Sequence, residues 1–121
     1  MAHILVVDDS PTERHFISKC LERTGHTVST ADCGEKGIEA AKSEHPDLIL
    51  MDIVMPGMNG FQATRFITQA PETSNIPVVM VSTKSQKTDK VWATRQGAKG
   101  YLVKPVDSEM LNSSIKSFLA A

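Results

Sequence analysis

Four charged side chains stand where apolar runs end. Asp8 and Asp9 close Ile4-Leu5-Val6-Val7, Asp52 closes Leu48-Ile49-Leu50-Met51, and Lys104 follows Tyr101-Leu102-Val103. A further run closes on the hydroxyls of Ser82 and Thr83. Brought together, carboxylates repel one another by roughly 4 kcal/mol per pair at 4 Å and an effective dielectric of 20. Such a cluster is tolerable around a hard cation, and Mg²⁺, held by carboxylates, phosphate oxygens and water, suits it. The three acids, one divalent ion and Lys104 then balance in charge. An incoming phosphoryl group would meet metal on one side and ammonium on the other, which suits phosphoryl transfer. A carboxylate is a competent nucleophile there, forming an acyl phosphate. Asp52 is the candidate because the other groups surround it.

The elements that must position these residues are readable from periodicity. Branched apolar runs of this length are strands buried on both faces. The first is followed by Ser10-Pro11-Thr12-Glu13, a capping box with proline at the first helical position, and a helix with Phe16, Ile17, Cys20 and Leu21 on one face. Gly25 ends it, and Thr27 to Ala31 makes a second strand. Asp32 and Glu35 repeat the capping pattern for a helix that stops at His45-Pro46. The third strand spans Leu48 to Ile53, and loop residues from Met55 to Gly60 precede a helix with Phe61, Phe66 and Ile67. A fourth strand ends at Ser82, a helix covers Gln86 to Gln96, and Tyr101 to Val103 is the fifth strand. Asp107-Ser108 caps a last helix that turns Leu111, Ile115, Phe118 and Leu119 inward. Regular alternation of strand and helix predicts right-handed crossovers and a parallel sheet covered on both faces, an α/β domain. In such a sheet chemistry collects outside the carboxyl ends of the strands, where all the residues above fall.

Length and charge narrow the function classes. The 121 residues fit one domain, 1–121, with no repeat, linker or output domain expected. A net charge of -1 gives no general drive toward nucleic acid or acidic membranes. Cys20 and Cys33 form no metal-binding spacing, and a buried thiol in a reducing cytosol is the expectation for Cys20. No signal peptide or apolar span long enough for a bilayer is visible, so a cytoplasmic location is expected. His3, His15, His26 and His45 show no ligand spacing and are expected at the surface.

The set Asp8-Asp9, Asp52, Ser82 and Lys104-Pro105, in this order, resembles the receiver domains of two-component response regulators, the CheY-like family. That resemblance implies a flavodoxin-like sheet of order 2-1-3-4-5, carried over from the family. It implies that Asp52 accepts a phosphoryl group from a histidine kinase. It further implies that Asp9, Asp52 and the Val54 carbonyl bind Mg²⁺, with Asp8 acting through water. Lys104 would contact the phosphoryl oxygens across a cis Lys104-Pro105 bond, and Ser82 would move to bond one of them, vacating space for Tyr101. Stretches such as Met51 to Arg65 and Asp89-Lys90-Val91-Trp92 are similar to single-domain receivers of type IV pilus chemosensory systems. A CheA-like kinase donor and an output in twitching motility, through an unidentified downstream protein in pilus motor regulation, are implied. A monomer that binds neither nucleic acid nor membrane is the accompanying expectation.

Alternatives stand beside these readings. Asp8-Asp9 alone would be a helix N-terminal charge pair, Lys104 a solvated lysine, and Tyr101 a half-buried core aromatic. A small Mg²⁺-dependent phosphohydrolase of the haloacid-dehalogenase type also uses an aspartate nucleophile, though within a DxD pattern that Asp8-Asp9 lacks. A receiver acting only as a phosphate sink, without an output partner, is a further option. Val54, where many receivers carry a polar residue, is expected to shield the acyl phosphate from water and slow self-hydrolysis. Thr83 is expected to crowd the space Tyr101 would enter. Trp92 either packs against the neighbouring helix or stands exposed as a partner anchor, and sequence does not decide between them.

Overall fold

The computed structural model describes residues 1–120. In chain order it places β1 at His3–Val7, α1 at Pro11–Arg23, β2 at Thr27–Ala31, α2 at Gly34–Glu44 and β3 at Leu48–Met51. There follow α3 at Gly60–Gln69, β4 at Val78–Ser82, α4 at Lys87–Arg95, β5 at Gly100–Val103 and α5 at Ser108–Ala120. All pairings are parallel, and the strand order is β2-β1-β3-β4-β5, the order implied by the family resemblance.

Side-chain alternation divides the central strands between two cores. Leu5, Val7, Ile49, Met51, Val78 and Met80 face one cluster, shared with Ile38 of α2, Ile67 of α3 and Ala93 of α4. Ile4, Val6, Leu48, Leu50, Val79 and Val81 face the other, shared with Ile17 and Leu21 of α1 and Leu111 and Ile115 of α5. Each fully buried Leu or Ile contributes roughly 1.5–3 kcal/mol. The sheet is therefore held between α2, α3 and α4 on one face and α1 and α5 on the other. Burial on both faces is why the strands read as continuous apolar runs rather than alternating ones.

Helix ends follow the sequence in part. Asp107 Oδ1 accepts the Met110 N–H at 2.7 Å and caps α5, while Asn59 and Gln62 form a complete capping box on α3. Gly25 and Gly97 take left-handed φ values of 91° and 101° after α1 and α4. Three expectations are corrected. Asp32 is not a cap: Cys33 occupies that position without a side-chain bond, and Asp32 instead lies 3.5 Å from Lys36 one turn on. Phe16 does not join its helix's buried face but stays 41% exposed, because Ile17, Cys20 and Leu21 alone fill the space against the sheet. The third strand stops at Met51, which frees Asp52 and Ile53 to turn into the loop. Cys20 is buried, and His15 and His45 are exposed, whereas His3 and His26 are half-buried and hydrogen-bonded.

Candidate functional site

The sheet's hydrogen bonding runs one residue beyond the strands, and this registers the charged groups. Asp8 N–H donates to the Ala31 carbonyl at 3.1 Å, Asp52 N–H to Val7 at 2.9 Å, and Lys104 N–H to Ser82 at 2.8 Å. Three separate segments are thus locked side by side at one rim. There, ligand oxygens of Asp8, Asp9 and Asp52 all lie within 4.8 Å of one another. Lys104 Nζ sits 2.8 Å from Asp8 Oδ2 and 3.7 Å from Asp52 Oδ2. The Lys104-Pro105 bond is cis. Asp8 and Asp52 are buried, Asp9 is exposed.

Each acid has a different setting. Asp8 is fully engaged: Oδ1 accepts the Ser10 N–H at 2.9 Å while Oδ2 takes the lysine. Asp52 Oδ1 accepts only the Ile53 N–H, at 2.9 Å. Burial, and next the charge of Asp8, push the Asp52 carboxyl up to about 6, against the pull of Lys104. Burial alone would lower Lys104, but its bond to Asp8 and the fields of Asp52 and Glu13 hold it above the ordinary lysine range. Of the two buried acids, Asp52 is the less satisfied by the protein itself, and so the one with more to gain from an added cation.

Two residues belong to this site that sequence reading left out. Glu13 was expected to complete a capping box. Its N–H does bond Ser10 Oγ at 3.3 Å, but its carboxylate lies 3.7 Å from Lys104 Nζ. Arg14 donates from Nη1 to the Asp8 carbonyl at 2.8 Å. Four carboxylates against Lys104 and Arg14 leave two negative charges, which one divalent cation returns. The neutral balance survives with different members. The signal in sequence was only that acid and base follow directly on the helix start, within reach of the rim.

Gly60 shapes the acceptor's backbone. Its N–H donates to the Ile53 carbonyl at 2.8 Å, and a Cβ there would overlap the Asp52 carbonyl. The start of α3 is therefore pressed against the peptide that carries Asp52, an approach only glycine permits.

The remaining predicted residues sit as follows. Ser82 is buried, and its Oγ accepts the Lys84 N–H at 3.3 Å. Tyr101 is half-buried; its hydroxyl donates to the Lys84 carbonyl at 2.7 Å. Burial, and then the charge of Asp89, raise its hydroxyl above the usual range. Thr83 is exposed. Val54 projects outward with 62% of its surface exposed. Trp92 is 47% exposed, which resolves the open choice in favour of the surface.

The chain has relatives among known proteins in both sequence and fold. A family model described as response regulator receiver domain matches residues 4–116. Protein PilH of Pseudomonas aeruginosa is 58% identical over 120 residues, covering 99% of each chain. Among solved structures, chemotaxis protein CheY4 of Vibrio cholerae superposes with a TM-score of 0.93 at 31% identity, covering 98% of each chain. A putative response regulator from Chloroflexus aurantiacus gives 0.94 at 28% identity, covering 99% of this chain and 98% of that one.

Proposed function

The chain belongs to the response regulator receiver domain family, and we propose that it is a stand-alone phosphoacceptor switch in which Asp52 takes a phosphoryl group from a CheA-like histidine kinase. The observation that carries this reading is the convergence of three acids, with oxygens within 4.8 Å, beside a lysine that touches two of them. Nothing about a solvated surface would hold Lys104 at 8% side-chain exposure among carboxylates.

The residues present fit Mg²⁺. The donors are hard oxygens, and an octahedral ion with ligands at about 2.0–2.1 Å spans about 4.2 Å between opposite ligands. Asp9 and Asp52, with the Val54 carbonyl, would hold it, and Asp8 would act through a bound water. Bound there, the ion supplies positive charge to the phosphoryl oxygens in transfer. The chain's own part is positioning. The Ile53 N–H holds the Asp52 carboxylate, and the Gly60 contact holds the peptide that carries it. Attack by its oxygen forms a P–O bond as the donor's P–N bond breaks, the electron pair leaving with an imidazole whose other ring nitrogen carries the proton. Lys104 pairs with a phosphoryl oxygen, and Ser82 donates its hydroxyl to another. Moving to do so takes the Ser82 oxygen away from the Lys84 N–H, and Tyr101, bonded to the Lys84 carbonyl, shares that loop. The modification is thereby relayed to the start of α4.

Similarity to PilH supports an output in twitching motility, delivered through a downstream protein that grips the altered face. Among the described residues no helix is long and apolar enough to cross a membrane. We place the molecule in the cytoplasm, as a monomer whose only chemistry is its own phosphorylation and loss of that group. Incubation with radiolabelled acetyl phosphate and Mg²⁺ labels the wild type and not Asp52→Asn. A label that persists in that variant overturns the assignment.

A further inference from the structure

Of the four carboxylates at the rim, Glu13 alone stands outside the cluster whose oxygens lie within 4.8 Å of one another. It belongs to the first turn of α1, and that turn is pinned from two directions. Ser10 Oγ accepts the Glu13 N–H at 3.3 Å, and Arg14 Nη1 reaches back to the Asp8 carbonyl at 2.8 Å. Pro11, at the first helical position, presets the backbone between them. The main chain under Glu13 is therefore held, and its side chain is the part that can turn.

Lys104 has three N–H donors and three carboxylates facing it. Asp8 Oδ2 takes one donor at 2.8 Å, whereas Glu13 Oε1 and Asp52 Oδ2 both stand at 3.7 Å, within ion-pair range but beyond a hydrogen bond. The ammonium thus has one firm partner and two equidistant competitors. Access to water separates the two. The Asp52 side chain is 10% exposed and that of Glu13 35%, so Glu13 is the solvent-side counter-ion of a buried lysine and the one with room to leave. Its charge also counts. With Glu13 included, a divalent cation brings the rim to neutrality; without it the loaded rim would carry one positive charge.

We propose that Glu13 is a positioning residue for phosphoryl transfer, a displaceable counter-ion that occupies Lys104 until a phosphoryl oxygen takes its place. This rests on the reading of Asp52 as the phosphoacceptor. Two effects of opposite sign follow. The negative charge of Glu13 helps the rim bind Mg²⁺. The same charge competes with phosphoryl oxygens for Lys104 and repels an anionic donor, most strongly one with two negative charges. Removing the carboxylate therefore weakens the metal and quickens the transfer. Loss of the helix cap or damage to the rim would weaken both.

The test uses Glu13→Gln, which keeps the size of the side chain, and Glu13→Ala, which removes the arm. Calorimetric titration with Mg²⁺ alone should show the dissociation constant raised by about two- to fivefold in each, the effect of a partly screened charge. At saturating Mg²⁺, labelling by acetyl phosphate, a dianion that releases acetate, should quicken by about threefold or more. Phosphoramidate, which carries less net charge at neutral pH and releases ammonia, should change less, so the ratio of the two rates rises. Ser10→Ala removes the cap but keeps the carboxylate, and should leave that ratio at its wild-type value. Metal affinity and acetyl phosphate labelling that fall together, a donor ratio unmoved in both Glu13 variants, or a ratio shifted equally by Ser10→Ala would overturn the proposal. If wild type takes no Asp52-dependent label from either donor, the phosphoacceptor reading fails and this one with it; if it is labelled and the ratio stays unmoved in the variants, this one fails alone.

Discussion

Asp52→Asn stabilises the metal-free protein at neutral pH even as it removes the acceptor. In the folded chain the Asp52 carboxyl is pushed up to about 6, chiefly by burial and by Asp8. An unfolded aspartate titrates near 3.9, so ionising Asp52 at pH 7 costs the native state on the order of 3 kcal/mol, at 1.36 kcal/mol per unit. The sign follows from linkage. A group with a raised folded pKa contributes its stability in full below about pH 4 and loses it as pH climbs through 6. Asparagine matches the shape, keeps an oxygen for the Ile53 N–H, and never ionises. Lys104 retains Asp8 at 2.8 Å, so the variant leaves no buried cation alone. Urea unfolding in EDTA, repeated from pH 4 to pH 8, measures the effect. Wild type loses on the order of 3 kcal/mol from this group across that range relative to the variant. A variant no more stable than wild type at pH 7, or two parallel pH profiles, refutes the claim that Asp52 is held under strain by its neighbours.

Other outcomes follow from the same geometry. Saturating Mg²⁺ at 100 times its dissociation constant stabilises wild type by about 2.7 kcal/mol and Asp52→Asn by much less, read as a shift in the urea midpoint. Lys104→Met strands Asp8, whose side chain is 3% exposed, and costs about 3–5 kcal/mol of unfolding free energy; a loss under 1 kcal/mol would show Asp8 satisfied without it. Gly60→Ala forces a methyl into the Asp52 carbonyl and lowers stability by about 1–3 kcal/mol, with loss of acetyl phosphate labelling beyond what unfolding explains. Val54→Asn places a polar group at the exposed position beside the acceptor and shortens the lifetime of the phosphorylated form, followed by release of inorganic phosphate; an unchanged lifetime removes Val54 from the account.

The sequence was most informative where local position dictates placement. Asp8, Asp9, Asp52 and Lys104 directly follow strands of one sheet, so parallel pairing brings them to one rim whatever the side-chain details. Glu13 and Arg14 escaped because they act across space: their helix starts at the rim, and only its direction turns them toward Lys104 and Asp8. Gly60 looked like loop punctuation, whereas its role is a contact with the Asp52 backbone that no pattern encodes. Phe16 fits the apolar stripe of α1 but lies at its margin, where the sheet no longer covers it. Trp92 was undecidable for a related reason. Its helix is short and charged, and periodicity gave it no clear inner face.

The alternation of side chains along the central strands has a consequence for how such a molecule can diversify. Val78 and Met80 look one way and Val79 and Val81 the other, so the layer of α2, α3 and α4 and the layer of α1 and α5 rest on separate sets of strand residues. Repacking beneath one layer leaves the footing of the other in place. The outward surface of α4, with Trp92 and Arg95, can therefore be re-tailored to a new recipient while α1 continues to present Glu13 and Arg14 to the acid rim. The outward face of α4 and the rim end of α1 thus rest on different strand residues and are free to drift apart.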